Sequence, residues 1–514
     1  YAVSIQSGGE AVSRALQTRL QADITTVTVF TDASNAYCML DTADELRALD
    51  ILIQYIKNLD TTRIPIGNTK NELLWACDLL IADLTFYRAH DGAVLTVIDG
   101  ILARFDLPGG EVQGGLWSML RFTITVAMLV IQELAITYPD IDRLCIADDV
   151  TVQMSVTTPE HGARLAQWFA DYETCFRNMG GKNNMDKFKI LQHPTMTDTT
   201  ADITNALHLF PSTTDGKRPT IIRDAHKVNG VGVGWDISKL RHIAMVPAKI
   251  LEERTQVLLS FTPSIGIYNT YLMATASYLP AIVLNHVMRN TEPRHSLQAA
   301  QYGADTQTHL LRTLSGATDT ELPSRQFTMA TQAHPVTATV ESAHLGISHG
   351  GIGFINPTPI RKVAWAASVL DTLPHLRRMP CVTIHIPHPS LWATSTNTGL
   401  RAAIATIISI TKMQTFIDGP PHHAEQWAKI KARLTHTDNS INYDGIENLN
   451  GLHFQHVALT AMAQEMHLRT TNDTLTTDWA RARLRSCAQF GSGERLRKHN
   501  HNHHGQTMQD YEFI

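Results

Sequence analysis

The stretch RLCIADDVTVQMSV (143–156) sets two aspartates, Asp148 and Asp149, side by side in an apolar run. Adjacent carboxylates repel, and burying either one unpaired is costly. The chain must therefore put them where water or a cation reaches them. The flanking pattern provides such a place. Val150, Val152, Met154 and Val156 alternate with Thr151, Gln153 and Ser155, the period of a half-buried antiparallel strand. With DRLCI (142–146) as its partner, both acids fall at the tight turn of a hairpin. Taken alone, the ADD string is a weak signal and reads first as a turn cap.

A third acid belongs with them. TTVTVF (25–30) is rich in β-branched residues and reads as a strand, and Asp32 stands at its end. Three carboxylates on neighbouring strands form an oxygen-donor set suited to hard divalent cations. Two such cations can activate an attacking hydroxyl and stabilise a leaving oxygen in phosphoryl transfer.

Around these strands the pattern is largely helical. GGEAVSRALQTRLQA (8–22) places Val12, Leu16 and Leu20 on one face. Residues 42–59 read as a helix with Thr42 as N-cap. LTVIDGILARFDLPGG (95–110) reads as a hairpin turning at Asp99-Gly100. A long apolar helix is expected over 117–138 and another from about 158 to 178. Residues 241–345 are helical and apolar, and a further helical region starts at 344. Pro380 to Pro389 and Gly419-Pro420-Pro421 mark loops.

Composition narrows the functional classes. The chain has 514 residues, 43% hydrophobic and 18% charged, which is ordinary for a multidomain globular protein. Its net charge of −5 runs against a dedicated nucleic-acid binder, which is usually basic. A local basic groove is compatible with that balance. The most basic cluster is RARLRSC with ERLRK, which contributes Arg481, Arg483, Arg485, Arg495, Arg497 and Lys498 as candidate nucleic-acid contacts; it reads equally as a solvated helix face. The tail histidines His499, His501, His503 and His504 read as a polar tail, with metal binding as the other reading.

No run of 18 uncharged apolar residues is present, so no membrane span is expected; FTITVAMLVIQELAITY (122–138) reads as a buried helix. Six scattered cysteines without a CxxC pair point to an intracellular reducing compartment and no zinc finger. The start at Tyr1 fits either a fragment or a processed organellar protein, mitochondrial proteins included. No Walker loop is present, and GVGVGWD lacks the spacing of a dinucleotide fingerprint.

Five segments occur in a telling order: FTDASNAYCML (30–40), GGEVQGGLWSMLRF (109–122), CIADDVTV (145–152), GGKNNMDKFKIL (180–191) and VNGVGVG (228–234). The series resembles the reverse transcriptases of non-LTR retrotransposons. YAVSIQSGGEAVSRAL, LGISHGGIGFINPTPIRKVAWAAS and SCAQFGSGERLRKHNHNHHGQTMQDYEF extend the resemblance over nearly the whole chain.

The resemblance implies an α+β fold: a right-hand polymerase palm, an antiparallel sheet with helices, plus a helical thumb and a helical C-terminal extension. The divisions it implies are 1–240 for residual fingers and palm, 241–345 for the thumb-like region and 346–514 for the extension. Asp32, Asp148 and Asp149 match the carboxylates that bind two Mg²⁺ ions. Tyr37 matches the aromatic that screens the sugar 2′ position, though a core tyrosine is the other account. Asn35 and Ala36 match the family's Asn-Ala pair. Gln113 and Gly114 match the nucleotide-binding turn. Lys187 matches the lysine that assists the departing pyrophosphate, against a plain surface lysine. Gly230, Gly232 and Gly234 match the primer-grip region in position, where a glycine-rich hairpin serves as well.

The sequence departs from the family at Ile146, where an aromatic is usual, and at Gly115-Leu116, where Asp-Pro is usual. The family's basic fingers would lie before Tyr1. Two functional expectations follow. One is an RNA-directed DNA polymerase acting on an RNA template and a DNA primer. The other is a domesticated, weak or inactive relative, serving as a structural or RNA-binding subunit among the RNA and proteins of a larger assembly such as an organellar ribonucleoprotein.

Overall fold

A computed structural model describes residues 8–33, 41–60, 69–89, 93–98, 101–106, 117–146, 149–198, 219–276, 279–316, 356–412, 421–447, 449, 454–459 and 461–462. The chain divides into two compact units. The first is 1–226 with 233–236, and the second is 227–232 with 237–514. The fold is α+β.

The first unit opens with α1 (Gly8–Ala22) and β1 (Thr26–Phe30). Helices α2 (Thr42–Asn58) and α3 (Lys70–Ala89) follow, then the hairpin strands β2 (Ala93–Ile98) and β3 (Ile101–Asp106). The pairing Ile98↔Ile101 sets the expected turn at 99–100, two residues that lie outside the described ones. The N-cap of α2 is Asp41 and not Thr42. The backbone of Asp41 is extended and its carboxylate accepts the Ala43 N–H at 3.0 Å, so the cap forms one residue earlier than the sequence indicates.

Helix α4 spans Ser118–Thr137 and is long and apolar enough to cross a membrane, with a mean hydropathy of 1.7. It is only partly the buried helix expected. Phe122, Val126, Val130 and Leu134 are enclosed in the core, whereas Ile136 is 81% exposed. Its middle, Ala127–Ile131, is a π-helical segment in which the Gln132 N–H reaches back five residues to the Ala127 carbonyl.

Strands β4 (Asp142–Ile146) and β5 (Asp149–Ser155) form the expected hairpin. Helix α5 (Pro159–Asn178) follows, then β6 (Lys189–Leu191) and β7 (Thr220–Ile222). The five strands make one sheet in the order β4-β5-β1-β6-β7, antiparallel except for the parallel pair β6–β7. One face carries Val27, Val29, Val150, Val152 and Ile190 onto α4 and onto Leu165, Trp168, Phe169, Tyr172 and Phe176 of α5. Each fully buried side chain of that size contributes on the order of 1.5–3 kcal/mol.

The sequence predicts a half-buried β5, but Val150–Met154 are all buried. The reason is α1, which roofs the second face: the Gln153 amide donates to the Leu16 carbonyl at 3.4 Å and to the Thr28 hydroxyl at 3.0 Å. A small hairpin, β8 (Ala225–Val228) and β9 (Val231–Gly234), follows the sheet. Asn229 and Gly230 form its turn in left-handed conformations, with φ of 47° and 80°.

The second unit is helical. Its first elements are α6 (Ile237–Ile265), α7 (Ile267–Ala276), α8 (Leu279–Asn290) and α9 (Pro293–Ser315). They pack on α10 (Pro357–Arg377) through small residues: Ala244, Ala248, Ala299, Ala300 and Ala364 line the contact with Leu251, Leu284 and Val287. Short helices α11 (Pro380–Thr383), α12 (Thr398–Thr411), α13 (Pro421–Leu434) and α14 (Tyr443–Glu447) complete it. The stretch expected to be a loop at 380–389 therefore contains one helical turn and begins a 3₁₀ turn at Pro389.

Candidate functional site

Strand pairing settles which acids can meet. In the β1–β5 ladder Val29 faces Val152 and Phe30 faces Thr151. Asp32 follows β1 by two residues, and Asp149 is the first residue of β5, two residues before Thr151. Both acids therefore stand at the same end of adjacent central strands.

The other side of β1 meets β6. In the β1–β6 ladder Phe30 faces Lys189; beyond it Ala33 pairs with Asn183, and Lys187 lies on the turn between these two paired stretches. The Lys187 ammonium is 3.1 Å from Asp32 Oδ1. The Asp32 side chain is 21% exposed and that of Lys187 is 64% exposed. Asp32 Oδ2 is buried and makes no hydrogen bond. Across the sheet the order of charges is thus an ammonium, a carboxylate and a second carboxylate.

Local chemistry holds Asp32 at this point. Thr31 ends the ladder: its N–H donates to the Val150 carbonyl at 3.1 Å, and its hydroxyl donates to the same oxygen at 2.8 Å. The Val150 N–H then donates to the Thr31 hydroxyl at 3.3 Å, where a strand would offer a carbonyl. Tyr172, buried beneath, shares this hydroxyl. Burial pushes its phenol well above the ordinary tyrosine range, against the Thr31 hydrogen bond. On the far side the Asn184 N–H donates to the Asp32 carbonyl at 2.8 Å, and Ala33 bridges to Asn183. Asn183 is anchored in turn by its amide, which donates to the Glu173 carboxylate.

The lysine's approach depends on a turn. Ala33 pairs with Asn183, whereas the β6 ladder alone would set Asp32 against Lys187. The intervening residues are taken up by a turn in which the Lys187 N–H donates to the Asn184 carbonyl at 3.0 Å. Gly181 starts the segment, with its N–H on the Phe176 carbonyl at 2.9 Å.

Of the sequence-predicted site residues, Asp32 and Lys187 are thus brought into contact, and Asp149 heads the neighbouring strand. Asp149 differs slightly from expectation: it is the first residue of β5, paired with Ile146, and not a residue of the turn. Asp148, Tyr37, Asn35, Ala36, Gln113 and Gly114 lie outside the described residues, as do Arg481, Arg483, Arg485, Arg495, Arg497, Lys498 and the tail histidines. Gly230 occupies the β8–β9 turn. Among the described residues no group of three or more His, Cys, Asp or Glu side chains forms a metal cluster. Sequence reasoning missed Thr31; the only signal was a hydroxyl residue between a strand and an acid. It also missed the ion pair, whose partners are 155 residues apart.

No family model matches the chain, and no curated protein matches it. Among solved structures, telomerase from Candida albicans in complex with a TWJ fragment of telomeric RNA aligns at 11% identity with a TM-score of 0.28. The alignment covers 60% of this chain and 51% of that one, so the chain spans about half the length of that structure. At this level of likeness nothing of telomerase carries over.

Proposed function

We propose that the chain is the palm and thumb of an RNA-directed DNA polymerase of reverse-transcriptase type, with a helical C-terminal extension. The observation that carries the reading is that Asp32 and Asp149 stand at the same end of the neighbouring strands β1 and β5, with the Lys187 ammonium 3.1 Å from Asp32. The order of motifs in the sequence supports it.

The residues fit a hard-cation site. They offer carboxylate oxygens, and Asp32 keeps one buried oxygen clear of any hydrogen bond. Asp32, Asp148 and Asp149 would hold two Mg²⁺ ions, which when bound supply charge neutralisation at the attacking and leaving oxygens. The protein's own contribution is positioning, the larger part of such a transfer. Strands β1 and β5 would align a primer 3′-hydroxyl with the α-phosphate of a deoxynucleoside triphosphate. Lys187, on its turn beside Asp32, would stand near the departing pyrophosphate.

A primer-extension assay on an RNA template, with Mg²⁺ and deoxynucleotides, tests this against Asp149→Asn and Asp148→Asn. Extension by the parent chain and its loss in both variants is the expected result. Unchanged extension by Asp149→Asn would refute the site. Absence of extension by every chain would favour the second reading, a domesticated structural or RNA-binding subunit. The net charge of −5 is the observation on that side.

A further inference from the structure

We infer that Lys187 is a cation-displaceable latch on Asp32: its ammonium takes the place of a divalent cation at the carboxylate until such a cation binds. This rests on the proposed acidic site and adds a second occupant to it. Four observations converge. The ammonium is 3.1 Å from Asp32 Oδ1, and this carboxylate is its side-chain partner among the described residues. The other oxygen, Oδ2, is buried without a hydrogen bond, so the carboxylate has unused electron-pair capacity. Asp149 begins the neighbouring strand at the same end of the sheet, so a second carboxylate lies on the side of Asp32 away from the lysine. Lys187 itself is mostly exposed and is held only by its turn, so it is free to swing into solvent.

The energetics favour exchange. An ammonium–carboxylate pair this exposed is a weak contact, readily given up. A dication offers twice the charge and takes several oxygens at once. The Lys187 ammonium and a dication on the same carboxylate repel each other, so dication binding and the Lys187–Asp32 pair compete. The lysine thus weakens cation binding while keeping the empty site neutral enough to fold. The same geometry makes Lys187 a reporter, because its position depends on whether a cation is present.

The test is Mn²⁺ binding to the full chain, followed through the electron paramagnetic resonance signal of free Mn²⁺ at low salt. Lys187→Met should bind Mn²⁺ about three- to fivefold more tightly than the parent, the upper part of what a surface ion pair commands. Lys187→Arg should stay near the parent. Lys189→Met removes the same charge two residues away, but its ammonium rests on the Asp186 carbonyl and the Thr220 hydroxyl; it should leave affinity within about twofold, given screening between exposed charges. Asp32→Asn should abolish tight binding with or without Lys187. Equal or weaker binding by Lys187→Met, with binding by the parent intact, overturns the latch and spares the acidic site. Equal tightening by Lys189→Met also overturns it, as a general charge effect. Lack of Mn²⁺ binding by every chain overturns the latch and the site together.

Discussion

Thr31→Val removes one hydroxyl and almost no volume, and it addresses the hinge on which Asp32 is set. The Thr31 hydroxyl accepts the Val150 N–H and donates to the Val150 carbonyl. That carbonyl keeps a second partner in the Thr31 N–H. The Val150 N–H has no such reserve, and Val150 is fully buried. Orphaning a buried amide costs about 1–3 kcal/mol, and the lost hydrogen bond to Tyr172 adds about 1 kcal/mol. The expected destabilisation is about 2–4 kcal/mol. For a unit of this size that corresponds to a fall in melting temperature on the order of 10 °C. Thr31→Ser keeps the hydroxyl and loses one methyl, for about 1 kcal/mol. Calorimetry of the three chains gives the comparison, and hydrogen exchange at the Val150 amide localises it: in Thr31→Val that amide should exchange markedly faster. Equal stability of the Val and Ser variants, with unchanged exchange at Val150, would refute the argument that this hydroxyl closes the strand.

Two other perturbations have a defined sign. His226 packs on Phe30 with ring centroids 4.5 Å apart, and burial, aided by the Lys189 charge and opposed by Asp224, lowers its pKa from 6.5 to about 4. The unfolded chain therefore takes up a proton that the folded one refuses, so stability is full above about pH 6.5 and falls as pH drops towards 4, by at most about 3 kcal/mol. His226→Phe should flatten that part of a stability–pH profile, and an unchanged slope would refute the assignment. Gly181→Ala would bring a methyl within 2.6 Å of the buried Phe176 ring and 2.7 Å of its carbonyl. A cost of about 1–3 kcal/mol is expected, read as a lower urea midpoint; parent-like stability would show that the segment shifts freely.

Much of the first unit was legible because its patterns are local. The β-branched run of β1, the alternation of β5 and the apolar stripe of α1 each announce themselves within a few residues. So does the placement of Asp32 and Asp149 at strand ends. What the sequence concealed depends on distant partners. β5 alternates as if one face met water, yet α1, more than a hundred residues earlier, covers that face. Asp41 outcompetes Thr42 as a cap through its backbone conformation, which no residue type announces. The Lys187–Asp32 pair follows from the β1–β6 register and one turn, neither of which has a local signature.

The π-helical segment of α4 carries a consequence for how this chain tolerates change. Phe122, Val126, Val130 and Leu134 recur every fourth residue and all reach the core. In an ordinary helix a four-residue repeat drifts by about 40° per step, so the last of these would point roughly 120° away from the first. One extra residue in the coil takes back about 100° of that drift. Deleting a single residue between Ala127 and Ile131 would remove the bulge itself, and Leu134 would stay within about 20° of the Phe122 face, because about eleven α-helical residues turn through nearly three full circles. A deletion elsewhere in the helix has no bulge to absorb it and would turn the residues beyond it by about 100° out of the core. The π segment is thus the one place along this helix where a residue can be lost without moving its ends.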